Sequence, residues 1–343
     1  MSGTVTAPRS LLRARELLQP ALRRAVDGLA PEIRAVVSYH LGFVDREGRP
    51  AAGDGGKAVR PALAFLSARA AGSLAEVALP GALAVELVHN FSLLHDDVMD
   101  GDRERRHRPT AWSLFGVGQA IVTGDALLVL AHQSLLEPPM PERERASVAL
   151  TRATARMIAG QAEDLAFESR LDVSVEDCLE MCAHKTGALI AYASSVGAIL
   201  SGAPETVVSS LERFGLHLGL AFQAVDDFLG IWGRPEATGK PVASDLLSGK
   251  KTLPIVAALE ALSKSASSDG DRLVRFLSDG VLMEEDLKEA VALIERGGGR
   301  ERCTAEADRR LQLALGSLED ADLEPEAKDE LVELARFVTA RDF

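Results

Sequence analysis

Ala82-Leu83-Ala84-Val85-Glu86-Leu87-Val88-His89-Asn90-Phe91-Ser92-Leu93-Leu94-His95-Asp96-Asp97-Val98-Met99-Asp100 is the stretch whose reading decides the fold. From Ala82 to Leu94 it carries almost no charge except Glu86 and His89. A helix apolar nearly all round must be enclosed by other helices. The spacing predicts one helix over 76–100, ~37 Å long at 1.5 Å per residue. Three aspartates crowd its C-terminal end. Asp96 and Asp100 share a face, and Asp97 is turned about one hundred degrees from Asp96. Like charges at this spacing cost ~0.2–0.5 kcal/mol on an exposed helix. Burial raises that cost, and a helix C-terminus is the wrong end for anions. The acids therefore work against the helix, and a bound cation would offset them.

Outward from this stretch, the rest also reads as helix. Aromatics are only 4% of the chain, and hydrophobic residues make up 47%. Apolar residues recur at three- and four-residue spacing almost throughout. Further helices are predicted over 11–29, 31–41, 59–71, 119–136, 143–168, 175–183, 187–201, 205–229 and 252–263. The tail adds 271–278, 284–296, 300–318 and 325–340. Ser174 and Asp177 have capping-box spacing. The expected class is all-α, one domain over 1–343, with helices around a central cavity. A net charge of −13 argues against a nucleic-acid surface. Cys178, Cys182 and Cys303 make neither a disulfide framework nor a zinc pattern, which fits a reducing cytoplasm. No uncharged apolar run reaches the ~18 to 20 residues of a membrane span, so no stable membrane insertion is expected.

A second acidic pair lies in Phe222-Gln223-Ala224-Val225-Asp226-Asp227-Phe228-Leu229-Gly230. Gln223 adds an amide three residues before Asp226. Basic segments accompany both pairs. Gly55-Gly56-Lys57-Ala58-Val59-Arg60-Pro61 precedes the first, and Arg103-Glu104-Arg105-Arg106-His107-Arg108 follows it. Thr238-Gly239-Lys240-Pro241 and Ser248-Gly249-Lys250-Lys251-Thr252-Leu253-Pro254 follow the second. Gln161 and Asp164 share a helix face, and Lys185-Thr186 opens the next helix. Taken singly, each basic segment reads equally as a solvated loop, and His89 as a core histidine. Together with two carboxylate pairs they point to divalent cations holding a polyanion, most simply a diphosphate.

In this order, from about Gly55 to Pro254, the motifs resemble those of the trans-isoprenyl (polyprenyl) diphosphate synthases. The resemblance implies head-to-tail condensation of isopentenyl diphosphate with an allylic diphosphate (dimethylallyl, geranyl or farnesyl). It implies Mg2+, three ions with diphosphate bound, and a homodimer. Asp96, Asp100 and Asp226 would bind metal. Arg105, Lys185 and Lys250 would hold the allylic diphosphate, and Lys240 would close over it. Lys57, Arg60, His89 and Arg106 would form a metal-free site for isopentenyl diphosphate. Lys185, Thr186, Gln223 and Asp227 would be the catalytic side chains, with Thr186 and Gln223 presenting oxygen dipoles to a carbocation.

The chain departs from the common pattern at three places. Gly230 stands where many members have a third Asp, His107 where Gly is frequent, and Ala58-Val59 where a bulkier basic-aliphatic pair is usual. In the family, the side chains four and five positions before the first Asp floor the product pocket. Here these are Ser92 and Phe91, a pattern similar to synthases of geranylgeranyl diphosphate, with farnesyl diphosphate as the alternative product. Residues of neighbouring helices such as Val122 are the competing floor. A class I terpene cyclase would need the metal clusters but not a second diphosphate site, so Lys57, Arg60 and His89 favour the synthase. A silent partner subunit would have lost one aspartate pair. A helical interaction protein would not explain the ordered acidic and basic motifs.

Overall fold

A computed structural model describes residues 7–51, 56–234, 242–264, 268–278 and 283–340. The helices are α1 (Arg9–Asp27), α2 (Pro31–His40), α3 (Val59–Ala70), α4 (Leu79–Met99), α5 (Ala111–Phe115), α6 (Val117–Leu136) and α7 (Pro141–Glu168). They continue with α8 (Val175–Cys182), α9 (Ala188–Leu200) and α10 (Glu205–Trp232). Others cover Ser244–Leu247, Leu253–Ser263, Asp269–Ser278, Glu284–Arg296, Gly299–Ser317 and Pro325–Thr339. The fold is all-α, as the periodicity predicts. Among the described residues the only strands are Glu104–Arg105 and Arg108–Pro109, paired antiparallel.

The long central helix begins later than its apolar pattern does. Ala75–Ala78 forms a 3₁₀ turn, and Pro80 sits in the first turn of α4. Proline lacks an N–H, so it suits that place and not a helix interior. Two short helices, α5 and Ser244–Leu247, have too few residues to show a period. The Ser174 capping box forms: the Asp177 N–H donates to Ser174 Oγ at 3.0 Å, and the Ser174 N–H to Asp177 Oδ2 at 3.1 Å.

The chain forms two compact units. The first contains Met1–Thr154, Tyr192–Glu212 and Leu318–Leu334. In it α4 packs on α3 and α6, and its Ala82–Val88 segment is buried throughout. Small residues set the helix spacing. A side chain at Gly81 would strike Val196, and one at Gly197 would strike the α3 backbone near Ala64. By length and composition Ala75–Met99 and Val117–Leu136 could each cross a membrane. The first is largely buried, as a core helix is, whereas α6 leaves Ile121, Val122 and Val129 exposed.

The second unit contains Ala155–Ala191, Arg213–Ser317 and Ala335–Phe343. Its core joins Phe167, Met181, Leu220, Phe228 and Val256 with the three cysteines. All three are free buried thiols, and Cys303 Sγ donates to the Ala224 carbonyl at 3.0 Å.

Candidate active site

In the first unit the C-terminal end of α4 carries the acids. Asp97 is 1% exposed, and Arg105 Nε donates to its Oδ1 at 2.6 Å. Burial pushes the Asp97 carboxyl up, and the Arg105 charge opposes this. Asp96 is half-buried and Asp100 exposed. Asp97 is thus the buried carboxylate held by a guanidinium, while Asp96 and Asp100 stand one turn apart and less covered. Among the described residues no three His, Cys, Asp or Glu side chains form a ready-made metal cluster.

Arg105 is placed by a tight hairpin whose turn residues, Arg106 and His107, have φ of 52° and 59°. Such turns favour two residues in the left-handed region. This explains why glycine suits position 107, and why His107 there carries some strain. The guanidinium of Arg106 lies against Gly56, where an added Cβ would sit 3.0 Å from its nitrogens. Gly56 itself has φ of 79°. The glycine therefore serves both the turn and the room for Arg106. Arg60 and Arg106 are also close enough to His89 to help lower its pKa well below the usual value, after burial. The structure so brings Arg60, His89, Arg106 and the neighbour of Lys57 together. Arg15 of α1, which the motifs did not single out, donates to the Gly56 carbonyl.

Phe91 is buried and meets the His95 ring edge-on at 4.8 Å. His95 Nε2 lies 3.0 Å from the Ile121 carbonyl, and its ring fills the space over Gly124 of α6. Ser92 Oγ donates back to the His89 carbonyl at 2.9 Å. Val122 is 50% exposed, so within this chain Phe91, not Val122, faces the core.

In the second unit Lys185 and Thr186 lie in a π-helical turn, Ala183–Gly187, between α8 and α9. Lys185 forms an ion pair with Asp164. A side chain at Gly160 would collide with the Lys185 backbone, so this glycine lets α7 approach the turn. A chain of hydrogen bonds follows. Thr186 Oγ1 donates to Gln223 Oε1 at 2.7 Å, and Gln223 Nε2 to Asp227 Oδ1 at 2.8 Å. The Leu253 N–H donates to Asp227 Oδ2 at 3.0 Å. The Gln223 amide is thereby oriented, and the Thr186 oxygen keeps its lone pairs. Asp227 is 3% exposed, and burial, then the charge of Asp245, push its pKa up to about 7. Asp226 and Lys250 are half-buried. Both amide atoms of Gln161 are buried without a hydrogen-bond partner. Lys240 lies outside the described residues.

Gly230 has a structural reason. A Cβ there would run into the carboxylate of Asp245. Position 230 therefore has no room for an aspartate while Asp245 holds its place. Sequence reading missed Asp245, because the two are fifteen positions apart and no motif links them.

The polyprenyl synthetase family profile matches residues 48–294. The chain is 48% identical over 332 residues to the (2E,6E)-farnesyl diphosphate synthase of Mycobacterium bovis, covering 96% of this chain and 91% of that one. It is 41% identical over 334 residues to the geranylgeranyl diphosphate synthase of Mycobacterium tuberculosis, covering 97% and 93%. The crystal structure of a polyprenyl synthetase from Streptomyces coelicolor A3(2) superposes with a TM-score of 0.91 at 52% identity, covering 96% of this chain and 99% of that one. With two carboxylate-bearing helices and basic loops on an all-α fold, the chain belongs to the polyprenyl synthetase family. It is a prenyltransferase, a trans-prenyl diphosphate synthase.

Proposed function

We propose that the chain condenses isopentenyl diphosphate with an allylic diphosphate and makes geranylgeranyl diphosphate as its main product. The observation that carries the two-substrate reading is the basic cluster of the first unit. Arg106 packs on Gly56, the chain neighbour of Lys57, with Arg60 and His89 near, and these groups would form an anion site separate from the metal-binding Asp96–Asp100 pair. A cyclase has no use for it. Asp96, Asp100 and Asp226 would hold Mg2+, which when bound neutralises the allylic diphosphate so that it can depart. Arg105, Lys185 and Lys250, with Lys240, would hold the same diphosphate. Thr186 and Gln223, held by their mutual hydrogen bond, would turn oxygen lone pairs toward the allylic cation. The apolar length of α4 would keep water from it.

Phe91 supports the twenty-carbon product: its ring is locked by His95 and would close the pocket below Asp96. The farnesyl product is the second reading, favoured by the name of the 48%-identical relative. Exposed Ile121, Val122 and Val129 on α6 and Val148 on α7 support a homodimer seated on that apolar face. All 343 residues would act as one catalytic domain in the cytoplasm. The test is steady-state kinetics of Arg106→Ala with each substrate varied in turn. The KM for isopentenyl diphosphate should rise by about a hundredfold, as for loss of a charge-assisted phosphate contact. An unchanged KM for that substrate, or hydrocarbon released from the allylic substrate alone, would overturn the reading.

A further inference from the structure

The ring of Phe91 is held from a neighbouring helix. Phe91 and His95 are one turn apart on α4 and share a face. Phe91 is 7% exposed, and its ring meets the imidazole at 4.8 Å between centroids, with the planes 66° apart. Aromatic pairs favour this edge-to-face arrangement. The imidazole in turn reaches α6. Its Nε2 lies 3.0 Å from the Ile121 carbonyl, and a carbonyl oxygen only accepts, so the proton sits on Nε2. The Asp125 carboxylate stands farther off, 3.7 Å from the same nitrogen, and its side chain is 64% exposed. The backbone carbonyl is therefore the fixed partner.

Gly124 makes room for this contact. A Cβ there would lie 2.3 Å from Nε2 and 2.5 Å from Cδ2 of His95. Packed atoms do not approach so closely, so any larger residue at 124 must move the ring. One imidazole thus fills a notch in α6, donates to the α6 backbone and packs against Phe91. Ser92, the other side chain assigned to the pocket floor, turns its hydroxyl back to the His89 carbonyl of its own helix at 2.9 Å. A growing prenyl chain presses on that floor with each five-carbon addition, and a phenyl ring yields by leaving its rotamer. A ring braced by a second ring, itself tied to another helix, resists that change.

We propose that His95 is a positioning residue for product length: seated on Gly124 and bonded to the Ile121 carbonyl, it braces Phe91 against α6 and so sets where elongation stops. This rests on Phe91 as the pocket floor, the reading given under the proposed function. A merely structural His95 would lower stability when replaced. A disturbance passed on to the adjacent Asp96 would slow every condensation alike. Neither by itself lengthens the product.

The experiment gives wild type, His95→Ala, Gly124→Ala and Phe91→Ala the same Mg2+, isopentenyl diphosphate and farnesyl diphosphate. Dephosphorylated products are sized by mass, and melting temperatures are taken alongside. In H95A the ratio of twenty-five-carbon to twenty-carbon product should rise about tenfold, as when an apolar pocket loses its discrimination against added carbons. G124A keeps the imidazole but removes its seat, and should shift the ratio the same way. If one of the two does not fold, the other carries the test. If neither folds, His95→Gln, which keeps a donor but no ring, takes their place. A ratio unchanged or lowered in any of these that folds, while F91A lengthens the product, overturns the proposal. If F91A also leaves the ratio unchanged, the floor reading fails with it.

Discussion

The two acidic ends solve the problem of a buried carboxylate differently. In the first unit Asp97 is answered by a guanidinium, Arg105. In the second Asp227 is answered by neutral donors, the Gln223 amide and the Leu253 N–H, with two more carboxylates, Asp245 and Asp226, near it. The first end has a fixed counter-charge. The second sets the charges of neighbouring carboxylates against Asp227, and an added cation would relieve them. The contrast teaches that equal-looking Asp-Asp motifs need not be electrostatically equal.

The hardest test of that contrast is removal of the outer acids. Asp96→Ala and Asp226→Ala should each lower turnover by about a thousandfold or more while the chain stays folded, because each would remove an oxygen donor proposed to bind metal. Near-wild-type rates in either would undo the metal assignment. Circular dichroism checks the fold.

Next comes Gly230→Asp. Its side chain collides with Asp245, so the variant should lose about 1–3 kcal/mol, as overpacking does. Asp245→Gly should recover most of that loss in the double variant, measured by denaturant unfolding. Additive losses would mean that Asp245 does not hold that space.

The pH response sharpens the comparison by setting His40 of the first unit against Asp227 of the second, which should answer in opposite directions. Burial, then the charge of Arg105, lowers His40 from 6.5 to about 4. Between those values the unfolded chain binds the extra proton, so this contribution to stability is full above 6.5 and is lost as pH falls toward 4. Asp227 is raised from 3.8 to about 7. There the folded chain binds the extra proton, so its contribution is lost as pH rises from 3.8 toward 7. With metal removed by chelator, the stability of wild type relative to His40→Gln should grow from pH 4 to 6.5. Relative to Asp227→Asn it should shrink over the same range. Parallel trends would contradict the contrast.

The smallest effect is expected at the hairpin turn. His107→Gly should gain up to about 1 kcal/mol by relieving a left-handed residue, less the added freedom of the unfolded chain. A loss of stability would show that the His107 side chain supports the turn.

Much of this was legible in the sequence because it rests on local periodicity. The apolar run of α4 identified an enclosed helix, and its acids fell at the end where they were expected. Gly56, Lys57, Arg60 and Arg106 could be grouped from motif order. The π turn at Lys185 was read as a plain helix start, because one extra residue in a turn leaves no signature in the apolar pattern. The Asp102–Pro109 segment read as a charged loop, since a two-residue strand has no alternation to detect. Asp245 under Gly230, and the seat of His95 over Gly124, depend on residues far apart in the chain. Pattern reading has no access to such pairs.

The most direct test of the central claim is a product assay. Purified protein is given Mg2+, labelled isopentenyl diphosphate and each allylic starter in turn, with a metal-free control, and the dephosphorylated products are sized by mass. Magnesium-dependent elongation to a linear twenty-carbon alcohol is expected, with a longer product from Phe91→Ala. No incorporation of isopentenyl diphosphate with any starter would contradict it.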